Sequence, residues 1–153
     1  MLFFVMMDEK QTTRIKETIM IKTIDASYLP QIKRLYEDAG WVAYLKDEAK
    51  FITMLENSLT ILGYFEGDKL VGTIRAVGDQ AHILYIQDIL VLTTHRRKGI
   101  GSKLLKALCS TYDTVRQKVL ITDKDDSTAH AFYKHLGFKA AEEVKTTCFI
   151  RYD

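Results

Sequence analysis

Seven consecutive residues, Arg96, Arg97, Lys98, Gly99, Ile100, Gly101 and Ser102, set three cations beside two glycines at the start of a helical pattern. Main-chain N–H groups at an open helix start bind anions, and Gly99 and Gly101 let a phosphate come close to the backbone. The chemistry this arrangement suits is the holding of a phosphate or pyrophosphate. Shortly upstream, Asp88 stands inside the otherwise apolar run 83–92. A carboxylate there is costly unless paired or hydrated, so it must face a cavity or a partner such as Arg75, with Gln87 on the opposite face. A third group is aromatic. Tyr36, Trp41 and Tyr44 could stack an aryl group or attract an ammonium, or they could cover a core edge.

These side chains need a strand, a turn and a helix in succession to position them. Residues 83–92 are rich in β-branched and large apolar types, which predicts an interior strand covered on both faces. After the glycines, Leu104, Leu105, Leu108 and Tyr112 recur at helical spacing, with Lys103 and Lys106 outward. A P-loop would need Gly-Lys-Ser/Thr, yet Ser102 follows Gly101 directly; a dinucleotide fingerprint would need a third glycine and a later acidic residue.

The remaining elements follow in order. Residues 20–24 read as a first strand. Ser27 can cap a helix with Pro30 in its first turn and Leu29, Ile32, Leu35, Tyr36 and Ala39 on one side, stopped by Gly40. A second helix is predicted over 47–57, with Phe51, Met54 and Leu55 inward. Strands over 59–65 and 70–77 flank the hairpin signal 66–69. The strand after the glycine-turn helix is 118–122, which implies a right-handed crossover and parallel neighbours. A helix over 127–136 carries Ala129, Phe132, Tyr133 and Leu136 on one side and stops at Gly137. Residues 144–152 alternate as a closing strand would. The predicted order is β-α-α-β-β-β-α-β-α-β, an α/β fold with a mixed central sheet flanked by helices.

At 153 residues, 47% hydrophobic and 27% charged, the chain fits one domain with a single core. Its net charge of +2 calls for no nucleic acid, and its local basic cluster suits a small anionic cofactor. Cys109 and Cys148 lack metal-ligand spacing and read as reduced cytosolic thiols, and no histidine has a ligand-spaced acid or thiol, so no metal is expected. No stretch is long enough to span a membrane. The first seven residues, MLFFVMM, lack a basic leader and a small-residue cleavage site, so export is not expected and the chain reads as cytoplasmic. Residues 1–19 are an N-terminal extension, either an extra helix or a disordered arm, and 20–153 form the domain.

Two motifs now combine. Arg96, Gly99 and Gly101 form R-x-x-G-x-G after a strand ending I-L-V-L, and the segment 126–138 carries Ala129, Phe132, Tyr133, Gly137 and Phe138 in the register A-x-x-F-Y-x-x-x-G-F. Together they resemble the GNAT superfamily of N-acetyltransferases from residue 20 to the end. Asp126 stands where an asparagine is usual, and Thr93 where a proline often follows the strand. The resemblance implies acetyl-CoA as cosubstrate and direct acetyl transfer to an amine. It assigns the pyrophosphate to Arg96 through Ser102, the pantetheine arm to main-chain groups of Ile89 and Val91, and a further contact to Asp126. Members of the family frequently pair through their terminal strands, so a homodimer is an expected assembly.

The implied reaction makes two demands. An alkylammonium of pKa ~10 must lose a proton before attack, and a departing thiolate of pKa about 8.5 is helped by an acid. Tyr133 occupies the position the family uses for that acid; its other reading is a core tyrosine beside Phe132 and Leu136. Asp88 is the candidate base; its other reading is a structural ion pair. The acceptor pocket would draw on Trp41, Tyr44, Tyr36 and Arg75. A small molecule is the expected acceptor, an arylalkylamine or polyamine among them. A macromolecular amine and a non-catalytic acyl-CoA sensor are the alternatives.

Overall fold

The computed structural model describes residues 18–153, so the extension 1–19, apart from its last two residues, lies outside the described part. Five strands form one sheet in the order β1-β2-β3-β4-β5: β1 (Ile19–Thr23), β2 (Thr60–Glu66), β3 (Lys69–Gly78), β4 (Ile83–Val91) and β5 (Gln117–Leu120). The first four are antiparallel, and β4 pairs with β5 in parallel, as the crossover rule requires of a strand, helix and strand. Four helices cover the sheet: α1 (Leu29–Asp38), α2 (Glu48–Glu56), α3 (Ile100–Thr111) and α4 (Ser127–His135).

Local chemistry explains most boundaries. Asp47 caps α2 by accepting from the Lys50 N–H, and Asp126 caps α4 by accepting from the Ala129 N–H. The cap at α1 differs from expectation. Asp25, not Ser27, accepts at a short 3-10 turn over Ala26–Tyr28, and α1 then begins at Leu29 with Pro30 in its first turn. An aspartate two residues earlier outcompetes the serine because it can take both the N–H and the hydroxyl of Ser27.

The core lies between helices and sheet. Ile100, Leu104, Leu105 and Leu108 of α3 are all buried, as their spacing demands. At Gly72 of β3 a Cβ would stand 3.1 Å from the Ile100 methyl and 3.3 Å from Leu104, so the glycine lets α3 seat closely on the sheet.

Two further expectations fail. The strand 83–92 is not covered on both faces: burial alternates along β4, with Tyr85, Gln87, Ile89 and Val91 half-exposed. The closing strand 144–152 does not form, and the element order ends after α4 with a 3-10 turn over Ala141–Val144. Left-handed backbone at Lys145 (φ 57°) breaks the extended run. A strand also needs a partner ladder, and among the described residues 145–153 pair with none; Phe149 is 94% and Tyr152 89% exposed.

Candidate active site

The turn after β4 is shaped as the glycines suggest. Arg97 (φ 62°) and Gly99 (φ 75°) both adopt left-handed backbone, which curls the chain into a concavity ahead of α3. No side chain caps α3, so its first N–H groups at Ile100, Gly101 and Ser102 remain available to an anion. A Cβ on Gly101 would meet Phe132 at an ordinary 3.4 Å, so packing does not require a glycine there; the bare backbone leaves room for a ligand. Arg97 and Lys98 are exposed beside the concavity, and Arg96 turns back to donate from Nε to the Val91 carbonyl at 3.3 Å. Thr93 holds the turn through Asp38, which accepts from its N–H at 2.7 Å and its hydroxyl at 2.9 Å.

The sheet opens where this turn needs it open. The last β4–β5 pair is Ile86 with Leu120, and one residue later Gln87 forms a β-bulge, the extra residue between the pairs Arg75–Asp88 and Ala76–Ile86. A bulge bends and twists its strand, which carries 87–91 away from β5. Leu92 donates to the Val71 carbonyl of β3, and ladder alternation turns Leu90 the same way. The main-chain groups of Ile89 and the Val91 N–H therefore face away from β3 on a short edge that β5 does not cover, while the Val91 carbonyl on that edge is taken by Arg96.

The opening is a cleft of about 620 Å³. Ile89, Ile121, Asp123, Asp126 and Ala129 line its α4 side, and Tyr133 projects into it. Burial raises the Tyr133 hydroxyl above the usual tyrosine range, and the nearby negative charge of Asp126 adds to this. Tyr133 is thus an un-ionised donor through neutral pH, packed at its ring edge by Phe132 and Phe138. Asp126 reaches the cleft and is also committed to capping α4 at 2.9 Å.

Asp88 lies elsewhere. It is 1% exposed and contributes nothing to the cleft wall. Its Oδ2 accepts from Arg75 Nε and from the Tyr36 hydroxyl, each at 2.6 Å, and Arg75 also donates to Ser58 at 3.2 Å. The Oδ1 atom is enclosed and accepts from none of the described residues, so Arg75 and Tyr36 carry the carboxylate's stabilisation. Burial alone would lower the Arg75 pKa, but Asp88 and Tyr36 together more than offset it and the guanidinium stays charged. Tyr36 is pushed far up, by burial first and by Asp88 second.

Of the expected acceptor residues, Trp41 and Tyr44 line the cleft, whereas Tyr36 and Arg75 stand behind it. Trp41 and Tyr44 stack with centroids 6.0 Å apart, and Tyr36 supports both edge-on. Tyr85 and Gln87 of β4 join the wall, with Ile150 and Tyr152 from the irregular segment after α4. Tyr85 and Tyr152 escape the sequence reading. Strand alternation from Ile89 would have found Tyr85; nothing in the sequence signals Tyr152. Among the described residues no group of three or more His, Cys, Asp or Glu could hold a metal ion, and no helix is long and apolar enough to cross a membrane.

Comparison with known proteins bears on the same residues. Residues 21–138 match the acetyltransferase (GNAT) family. A GNAT-family acetyltransferase structure from Streptococcus pneumoniae TIGR4 is 31% identical, covering 89% of this chain and 98% of that one at a TM-score of 0.77. Two further structures share the fold: an aminoglycoside acetyltransferase from an uncultured soil metagenomic sample in complex with sisomicin (22% identity, 88% and 95% covered, TM-score 0.68), and an N-acetyltransferase from Thermoplasma acidophilum in complex with coenzyme A (16%, 80% and 90%, 0.69). No curated protein matches the sequence.

Proposed function

The chain belongs to the GNAT family of acetyl-CoA-dependent N-acetyltransferases, and from that premise we propose that it acetylates a primary amine of a small molecule in one ternary complex, with Tyr133 as the acid. One observation carries this reading. The sheet opens after Ile86 so that Ile89 and Tyr133 line one cleft, and Gly101 at the uncapped start of α3 lies against Ile89, a Cβ there standing 3.9 Å from its methyl.

The residues present fit the cosubstrate. The concavity at Gly99 through Ser102, with Arg97 and Lys98 beside it, would hold the pyrophosphate, and the edge of β4 would pair with the pantetheine arm as a partial strand. Acetyl-CoA supplies an activated thioester. A main-chain N–H on that edge would polarise its carbonyl, the arrangement that stabilises a developing oxyanion. Tyr133 gives its proton to the departing sulfur as the C–S bond breaks and the N–C bond forms. We assign Asp88 a positioning role: tied to Arg75 and Tyr36, it fixes the strand at the bulge. The ammonium gives one proton to solvent at the open end of the cleft before attack, and the second proton, released by the nitrogen as the amide forms, restores the Tyr133 hydroxyl by way of solvent.

The proposal extends to a cytosolic homodimer, in which Phe149 offers exposed apolar surface for pairing. Thiol release from acetyl-CoA against a panel of amines tests the function. Release with one class of small amine is the expected result; acetyl-CoA binding without release by any small amine would contradict it.

A further inference from the structure

The far half of the cleft has a composition of its own. Beyond Tyr133 it is walled by Trp41, Tyr44, Tyr85, Gln87, Ile150 and Tyr152. Four of these six are aromatic and none is charged. The carboxylates of the cleft, Asp123 and Asp126, lie on the α4 side, and among the described residues no lysine, arginine or histidine lines any part of it.

Its walls are unequal in rigidity. Trp41 and Tyr44, stacked at 25° between planes, rest on Tyr36, whose hydroxyl is bound to buried Asp88. That wall is anchored to the core. Opposite it, residues 145–153 join no ladder among the described residues, and Tyr152 stands 89% exposed at the rim; burial first, then Cys148 and Tyr152, raises the Tyr85 pKa.

Such a surface discriminates by charge. Flat apolar groups gain from offset or edge contacts with the rings, and a single ammonium gains from the ring faces until it deprotonates. A second or third ammonium would lose water against a wall without a carboxylate, and an α-carboxylate would find no cation. We propose that this half of the cleft selects a monoamine bearing an aromatic ring on a short alkyl linker, with Tyr152 of the unpaired segment as a specificity-determining residue. This deepens the proposed function and rests on it. It also separates the chain from the aminoglycoside enzymes whose fold it shares.

The test is thiol release at fixed acetyl-CoA with phenethylamine, tryptamine, spermidine, sisomicin and phenylalanine, the last carrying the same ring as phenethylamine plus a carboxylate. The arylalkylamines should exceed the other three in kcat/KM by about tenfold or more, the scale of one lost aromatic or charge contact. Tyr152→Ala, at an exposed position, and Trp41→Ala should each raise the phenethylamine KM up to about tenfold with little change in kcat. Trp41 is the only tryptophan in the chain, so its fluorescence should respond to phenethylamine in the presence of CoA. A preference for spermidine, sisomicin or phenylalanine, or unchanged KM in both variants, overturns this inference alone. Acetyl-CoA binding with no release by any small amine overturns the small-amine reading beneath it as well.

Discussion

Asp88 and Ile89 are neighbours in sequence and opposite in circumstance. Asp88 belongs to a closed cluster in which Arg75 and the Tyr36 hydroxyl share one of its oxygens at 2.6 Å. Ile89 belongs to a strand edge left open by the bulge and bordered by Tyr133. The closed cluster holds a buried ion pair, and the open cleft has an aromatic wall with its carboxylates on the α4 side. A buried ion pair seldom adds net stability over an apolar equivalent, but removing one partner strands the other. The difference teaches that the most costly residue in an apolar strand is here buried and paired behind the opening, while the groups proposed to act are ordinary residues given an unusual setting.

Several perturbations would break or sharpen this contrast. The largest effect belongs to the open side: Tyr133→Phe should lower kcat by about 10²–10⁴-fold, the range for a positioned acid, with the acetyl-CoA dissociation constant little changed by calorimetry. On the closed side, Asp88→Ala should cost ~3–5 kcal/mol by urea unfolding, because it leaves Arg75 buried and unpaired. Gly101→Ala should raise the KM for acetyl-CoA about tenfold by obstructing the approach of phosphate to the backbone, while the Tm stays near that of the parent because the new methyl has room against Phe132.

The smallest effect is a slope. Tyr36 keeps its proton in the fold while the unfolded chain ionises near pH ~10, so above that pH the unfolded state binds fewer protons than the folded one. The stability from Tyr36 is therefore full below pH ~10 and falls as pH rises beyond it, by up to ~1.4 kcal/mol per pH unit. Urea midpoints across the alkaline range should show this decline, and Tyr36→Phe should make it shallower, with Tyr85 and Tyr133, whose hydroxyls are also raised, contributing the remainder.

Much of this was legible in the residues. The three-leucine stripe of α3 and the stop at Gly40 each follow from local rules, and the glycine-turn motif points to the uncapped helix start that the structure contains. What local rules miss is where the sheet stops pairing. The alternation at β4 reads as a fully buried strand because Tyr85 and Ile89 are as apolar as core residues; only the bulge at Gln87 and the end of β5 at Leu120 leave them facing a cleft. The same blindness affects 144–152, whose alternation is sound strand grammar without a ladder to join. The Arg75 partner of Asp88 was legible from the cost of burying a charge, but Tyr36, distant in sequence and apparently a core or pocket aromatic, was not legible as its second donor.

The most direct measurement is thiol release by Asp88→Asn beside Tyr133→Phe, each with its urea midpoint and assayed well below its unfolding temperature. A positioning role for Asp88 and an acid role for Tyr133 predict that Asp88→Asn loses stability while its folded fraction turns over within about tenfold of the parent, and that Tyr133→Phe keeps its stability and loses turnover by about 10²-fold or more. An Asp88→Asn enzyme that is as stable as the parent and inactive, beside an active Tyr133→Phe, would contradict the account.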